Sequence, residues 1–180
     1  MPRNRPPYPV THGYRQQPTI VNNVETLCAA ALIAVRGGDW YRSLGTLKSS
    51  GTKILSVAGD VARPGLYEYP FGVTLRQVLE DCGAADTQAI QSGVCVDATE
   101  FGRRIAFEDL PTAGAFTVFD ASRDMFDVAR NYAQFFAHES CGFCTPCRVG
   151  TSMLVSAMDK IHAGNGTQQE LREMNRLNRV

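Results

Sequence analysis

This sequence has no net charge and no long apolar run, and each absence excludes a class of protein. The 180 residues contain 18 Lys and Arg against 18 Asp and Glu, so no strong field attracts nucleic acid or an anionic membrane. The longest unbroken apolar run, Leu27 to Val35, is far too short to span a bilayer. The N-terminal residues carry charge and proline where a signal peptide needs an apolar core. We therefore expect no nucleic-acid partner and no direct membrane insertion.

The sequence also lacks internal repeats and low-complexity tracts, which excludes solenoid and disordered classes. Its composition, 44% hydrophobic and 20% charged, is ordinary for a globular protein. A chain of this length forms one or two domains and can bury a real core.

What the sequence does contain is three cysteines, each separated from the next by two residues. Cys141, Cys144 and Cys147 lie in Glu-Ser-Cys-Gly-Phe-Cys-Thr-Pro-Cys-Arg. Thiolates are soft anionic ligands, and this spacing lets the backbone surround a cluster of iron and sulfide. A helix would carry the three side chains away from a common centre. The spacing therefore predicts a tight loop that binds a 4Fe-4S cluster.

Two residues inside the segment support a loop. Gly142 allows close backbone approach and positive φ. Pro146 is predicted to hold Thr145 in extended geometry, so that the loop stays non-helical up to its last cysteine.

Other interpretations of the cysteines remain open. Structural zinc usually requires separated ligand pairs, and no second pair follows here; redox-active or merely buried cysteines are the remaining alternative. A cubane needs a fourth ligand, but Cys28, Cys82 and Cys95 lie in apolar settings and are predicted to be buried small hydrophobes. We expect the fourth ligand beyond Val180. Because a cluster needs free thiols, the expected location is the reducing cytoplasm.

Two charged neighbours of the loop have alternative interpretations. Arg148, with the start of the following helix, would bring positive potential to an anionic cluster, or it is a solvated surface cation. His138 precedes the loop and is predicted to be packed or hydrogen-bonded, not a ligand.

The chain divides into three stretches, residues 1–50, 51–120 and 121–180. The first opens with prolines and continues into a helix that ends at Gly37-Gly38; because almost every face of this helix is apolar or small, we expect it to be buried. The second is strand-rich and the third is helical. Together they predict an α+β chain, with a small β-grasp domain followed by a helical bundle that carries the cluster.

The second stretch has a hairpin signal and one helix signal. Strands over Lys53–Ala58 and Leu66–Tyr69 flank Pro64-Gly65, an order typical of a type II turn. Thr74 and Gln77 form a capping box for a helix closed by Gly83. The buried stripe of that helix is predicted to be Leu75, Val78, Leu79 and Cys82. Further short strands are predicted at Val94–Val96, Ile105–Phe107 and Phe116–Phe119.

The third stretch has three helical patterns. Ser122 is the predicted N-cap of the first, and Gly164-Asn165-Gly166 ends the second. Thr167 and Glu170 form a capping box for the third, which continues to the last residue and suggests a fragment. The predicted packing stripes are Met125, Val128, Ala129, Tyr132, Phe135 and Phe136 in the first helix, and Met153, Leu154, Ala157, Met158 and Ile161 in the second.

Several motifs resemble those of the NADH-binding flavoprotein subunit of respiratory complex I. The resemblance extends to the diaphorase subunit of NAD-reducing nickel–iron hydrogenases and to NAD-dependent formate dehydrogenases. The motifs are His138–Arg148, Pro6–Pro9, Pro18–Leu27, Gly37–Trp40, Val57–Val61 and Pro64-Gly65.

The resemblance implies a function. NADH reduces FMN, which releases electrons singly to a 4Fe-4S cluster held by Cys141, Cys144 and Cys147, in a complex whose other subunits carry further iron–sulfur clusters. Residues 1–50 would complete the flavin domain, with Asn22, Asn23 and Thr26 at the flavin; the asparagines could equally cap the following helix.

Two departures from the family limit these expectations. The half that holds most of the FMN and NADH is absent from this sequence, so the chain alone is expected to be inactive. Ala89–Val94 stands where the family has a glycine-rich turn. Asp109–Ala113 and Met158–Gly164 look closest to the hydrogenase branch, with complex I and formate dehydrogenase as the alternatives.

Overall fold

The structure, a computed structural model, describes residues 6–177. The chain divides into two compact units, with the boundary between Ser122 and Arg123. We call residues 8–122 the sheet unit and the residues from Arg123 onward the helical unit, and describe each by itself.

The sheet unit begins with a short 3-10 turn, Tyr14–Gln16, and two helices, α1 (Val24–Arg36) and α2 (Gly38–Arg42). The Asn23 side chain caps α1 by accepting a hydrogen bond from Glu25 N at 2.8 Å, and Gly37, with φ +88°, ends it. The predicted end of the helix is thus confirmed. Its predicted burial is wrong, because α1 has no buried residue. Most of its large apolar side chains are exposed, namely Val24, Leu27, Leu32 and Val35.

A five-stranded sheet forms the centre of this unit. Its strands are β1 (Thr52–Gly59), β2 (Gly65–Pro70), β3 (Thr87–Gln91), β4 (Cys95–Asp97) and β5 (Ala115–Asp120). The strand order is β2-β1-β5-β3-β4. β1 and β5 are parallel, and the other neighbouring pairs are antiparallel. The chain is therefore mixed α and β, as expected.

Helix α3 (Leu75–Cys82) follows β2 and packs its apolar face into the core. All four residues of the predicted stripe are buried. Thr74 Oγ1 accepts from Gln77 N at 3.2 Å, whereas the Gln77 side chain donates to Asp81 Oδ1. Of the two hydrogen bonds of the predicted capping box, the structure has the one from Gln77 N to Thr74 Oγ1. Gly83, with φ +68°, ends the helix as predicted.

The core of the sheet unit lies between α3 and the sheet and extends to the segment before β5. Its buried members are Leu55, Val57, Leu75, Val78, Leu79, Cys82, Ile90, Val96, Phe101, Ile105, Leu110, Phe116 and Val118. Burial of this many large side chains is the main stabilising contribution to the unit.

Two predictions about the strands and their turns are wrong, and one strand was not predicted. Gly65 has no positive φ and belongs to β2, so Pro64-Gly65 is not a type II turn; the chain instead leaves β1 at Gly59, with φ +95°. Ile105–Phe107 forms only an isolated bridge from Ile105 to Leu110. Conversely, β3 is a strand that the sequence pattern did not predict, and its last part coincides with the start of Ala89–Val94.

The helical unit contains α4 (Met125–Glu139), a π-helical turn (Pro146–Gly150), α5 (Thr151–His162) and α6 (Gln168–Leu177). Asp124, not Ser122, is the N-cap of α4, since its carboxylate accepts from Phe126 N at 2.8 Å. The Ser122 hydroxyl instead donates to Asp120 Oδ1. An ionised carboxylate next to the first turn is the stronger acceptor for the free N–H groups.

Helices α4 and α5 pack against each other through Ala133, Ala157 and Met158, which are buried. Arg130 of α4 bridges the two helices by donating to Asp159 Oδ1 at 2.9 Å. Phe135 and Phe136 are 56% and 58% exposed, so the predicted stripe is a packing surface only in part.

The end of α5 and the start of α6 follow the predictions. Gly164, with φ +75°, ends α5. Glu170 accepts from Thr167 N at 3.0 Å, which completes a cap. Hydrogen bonds from Thr167, and then from Lys160, lower the pKa of Glu170 to about 2. The prediction that this helix continues to the last residue lies partly outside the described residues.

No helix among residues 6–177 has the length and apolarity needed to cross a membrane.

Candidate functional site

We call residues 141–147 the cysteine loop; it runs from the end of α4 into the π-helical turn. Cys141 follows Ser140, the C-cap of α4, Cys144 lies in the middle of the loop, and Cys147 lies in the π-helical turn. All three thiols are on exposed residues. Gly142 has φ +78°, as predicted.

The prediction that the loop is non-helical up to its last cysteine is wrong. Thr145 is in the α region, with φ −56° and ψ −45°, and Pro146 begins the π-helical turn that contains Cys147. Proline suits the first position of a helix because the N–H it lacks would have no partner there. Its helix-initiating effect therefore outweighs its restriction of the preceding residue.

Side-chain hydrogen bonds tie the loop together. Arg148 Nη1 donates to Gly142 O at 3.1 Å, which closes the segment between them. Gly142 N donates to Ser140 Oγ at 3.3 Å, and Ser140 Oγ lies 3.4 Å from Cys147 Sγ. Arg148 is thus attached to the cysteine loop, although it remains on the surface.

The three sulfurs lie on one loop but do not form a converged site. Within residues 6–177, no group of three or more His, Cys, Asp and Glu side chains is close enough to hold a metal ion. The donor set still fits an iron–sulfur cluster, because it consists of three exposed soft thiols at the spacing of cluster ligands. His138 Nδ1 lies 3.0 Å from Glu139 Oε1, as expected of a hydrogen-bonded residue.

The other cysteines differ from one another. Cys82 is fully buried and donates to Leu79 O at 3.3 Å, and burial raises the pKa of its thiol. Cys28 and Cys95 are exposed, which corrects the prediction that they are buried. Cys28 lies in α1, which has no buried residue, and Cys95 lies in β4, where only Val96 is buried.

The residues implied at the flavin lie at the start of α1. Asn22, Asn23 and Thr26 are all exposed. Asn23 caps the helix, and Asn22 Oδ1 accepts from Asn23 N at 3.0 Å. The capping role left open by the sequence is therefore present, and the flavin role stays a prediction.

Sequence reasoning missed Glu25, which holds this segment on the sheet. Its carboxylate accepts from Ile54 N at 2.9 Å and from Lys53 Nζ at 2.5 Å. Burial by itself raises the pKa of Glu25, but these hydrogen bonds and the charge of Lys53 bring it below its ordinary value. No local pattern signals this contact, because the partners are far apart in sequence. The only local feature that pointed to Glu25 was its position in the first turn of a helix.

Comparison with known proteins gives two family matches. Residues 127–180 match the NADH-ubiquinone oxidoreductase-F iron-sulfur binding region. Residues 54–94 match the SLBB domain. The first match covers all three cysteines of the loop.

The chain is similar to parts of two kinds of oxidoreductase. It is 47% identical over 178 residues to the NAD-reducing hydrogenase HoxS subunit alpha of Cupriavidus necator, covering 96% of this chain and 30% of that protein. It is 35% identical over 191 residues to a subunit of the NADH-quinone oxidoreductase of Escherichia coli, covering 98% of this chain and 43% of that protein.

This chain is also similar to part of a solved structure. A crystal structure of NAD+-reducing [NiFe]-hydrogenase in the H2-reduced state matches with a TM-score of 0.85 and 48% identity, covering 98% of this chain and 32% of that one. The chain thus spans less than half the length of each of these relatives.

Proposed function

We propose that this chain is the electron-transfer portion of an NADH-binding iron–sulfur subunit. It belongs with the C-terminal part of such subunits in NADH-quinone oxidoreductases and NAD-reducing hydrogenases. The observation that carries the proposal is the loop of three exposed cysteines inside the iron–sulfur binding region.

Cys141, Cys144 and Cys147 are the proposed ligands of a 4Fe-4S cluster, with the fourth ligand supplied from outside the described residues. When bound, the cluster carries single electrons from an FMN that NADH has reduced. Because the three sulfurs do not converge, at least one of them must move to reach the cluster. Exposure of all three residues supports this, because no packed core resists such movement.

Positive charge is available beside the cysteines. The Arg148 guanidinium is fixed on the Gly142 carbonyl, inside the loop. The N-terminal end of the π-helical turn, which continues into α5, adds the positive end of a helix dipole near Cys147. Both features favour an anionic cluster and its reduced state.

The remaining parts of the chain fit three proposed segments. Residues 51–120 form a β-grasp domain, a proposal supported by the strand order, the parallel β1–β5 pair and the crossing helix α3. Residues 121–180 form an incomplete cluster-binding helical bundle. Residues 1–50 complete a flavin domain, with Asn22, Asn23 and Thr26 at the FMN. The exposed apolar faces of α1 support this last role, since they need a cover.

A cytoplasmic NAD-reducing hydrogenase is the proposed setting. The identity of 47% to a hydrogenase subunit, against 35% to the Escherichia coli quinone oxidoreductase subunit, supports this branch. The partners would then be the other subunits of the complex, with their own iron–sulfur clusters. NAD(H) and most of the FMN would be bound by sequence outside this chain.

The proposal is tested by replacing Cys144 with Ser in the native protein. We expect the change to abolish one iron-dependent EPR signal that appears on reduction. Cys28→Ser is the matched control, because Cys28 is also exposed but lies outside the loop. An unchanged signal in Cys144→Ser contradicts the proposal. Colourless protein that contains zinc without acid-labile sulfide would identify a structural zinc module instead.

A further inference from the structure

We propose that Ser140 donates a hydrogen bond to the sulfur of Cys147 and thereby raises the reduction potential of the cluster. The inference rests on the proposed function, since it assumes that Cys147 is a cluster ligand. It assigns a positioning and tuning role to a residue that is not itself a ligand.

The geometry determines what the Ser140 hydroxyl can do. Its oxygen lies 3.4 Å from Cys147 Sγ and accepts a hydrogen bond from Gly142 N at 3.3 Å. A hydroxyl has one proton to donate and two lone pairs that accept. Because the Gly142 N–H group already points at the oxygen, the hydroxyl proton is left for the sulfur.

The direction of the bond follows from the chemistry of the sulfur. A thiol can donate or accept, but a thiolate that ligates a metal can only accept. Once Cys147 is a ligand, Ser140 is therefore the donor.

Both ends of this contact are held in place. Ser140 is the C-cap of α4, so the helix sets its position. On the other side, Thr151 Oγ1 donates to Cys147 O at 2.6 Å and fixes the backbone that carries the sulfur. Arg148 does not compete for the sulfur through its Nη1 group, which is bonded to Gly142 O.

The effect on the potential has a definite sign. Reduction adds negative charge to the cluster and its sulfur ligands. A hydrogen bond to a ligating sulfur stabilises the more negative state more strongly, so it favours reduction. Removal of the hydroxyl should make the midpoint potential more negative.

The test is an EPR-monitored redox titration of the native protein with Ser140→Ala. We expect the equilibrium constant for one-electron reduction of this cluster to fall about tenfold, which corresponds to a shift of about 59 mV. Iron and acid-labile sulfide should stay at the wild-type level. Ser140→Thr, which keeps the hydroxyl, should restore the wild-type potential.

Ser152→Ala is the matched control. Its hydroxyl donates to Arg148 O at 3.1 Å, in the same unit but with no cysteine partner, and the potential of this variant should stay at the wild-type value. Equal potentials in Ser140→Ala and Ser152→Ala, both with full clusters, would overturn the inference. Loss of the cluster in both Ser140 variants would also overturn it, because the residue would then serve only to shape the loop. Absence of any cluster in the wild type would refute the proposed function itself, and is distinguished by iron content.

Discussion

Replacing Glu25 with Gln should destabilise the sheet unit by removing one charge from the contact between α1 and β1. The introduced amide would keep a carbonyl oxygen that can accept from Ile54 N. It would leave Lys53, whose side chain is only 17% exposed, without its anion. The substitution therefore isolates the charge, since the shape is nearly unchanged.

The magnitude follows from the exposure of the pair. A hydrogen bond to a charged group contributes about 1.5–3 kcal/mol when well shielded. The Glu25 side chain is 31% exposed, so solvent screens part of this contribution. We expect the free energy of unfolding to fall by about 1–2 kcal/mol.

Chemical denaturation at a series of pH values is the assay. The pKa of Glu25 is lowered from 4.5 in the folded chain, so its contribution is present above that value and is lost as the pH falls through the folded pKa. The difference between wild type and Glu25→Gln should therefore be constant from neutral pH down to the ordinary value of 4.5, and should shrink as the pH falls further.

Glu68→Gln is the matched control for this experiment. Glu68 is an exposed carboxylate that accepts from Thr52 Oγ1 at 2.7 Å on the same sheet, and its replacement should change stability by less than about 0.5 kcal/mol. Equal losses in the two variants, or a loss in Glu25→Gln that does not depend on pH, would show that the charge of Glu25 does not stabilise this contact.

Two further predictions concern packing and backbone geometry. Phe116→Ala should lower the free energy of unfolding by about 3–5 kcal/mol, because the side chain is buried in the core. Leu47→Ala is its control: the position is fully exposed, so the change should have little effect in the same denaturation assay. Gly59→Ala should cost more than about 2 kcal/mol, because φ is +95° and a Cβ would lie 2.2 Å from Val118 O. Gly102→Ala is its control, because a Cβ there meets nothing within 4 Å. Similar melting temperatures for Gly59→Ala and Gly102→Ala would contradict this prediction.

Local signals predicted much of the fold. Thr74 and Gly83 bound α3 because capping and left-handed geometry depend on a few adjacent residues. The same holds for Gly37 at the end of α1. The burial of α1 was mispredicted for a physical reason: apolar composition shows that a surface needs a cover, but not that the cover belongs to the same chain.

The candidate site shows the same division between local and long-range information. Cys141, Cys144 and Cys147 are recognisable from spacing alone, and Gly142 has the predicted positive φ. At Pro146 two local preferences compete, helix initiation and restriction of the preceding residue, and their order could not be predicted. The residue starts a helical turn instead of preventing one. Contacts between residues distant in sequence, such as Glu25 with Ile54, leave no local pattern from which they could be predicted.

A crystal of the native protein, measured at the X-ray absorption edge of iron, would show whether the cysteine loop binds an iron–sulfur cluster. We expect anomalous density from a cluster bonded to the sulfurs of Cys141, Cys144 and Cys147. Anomalous density that appears only at the zinc edge, or a loop with no metal bonded to these sulfurs, would contradict this expectation.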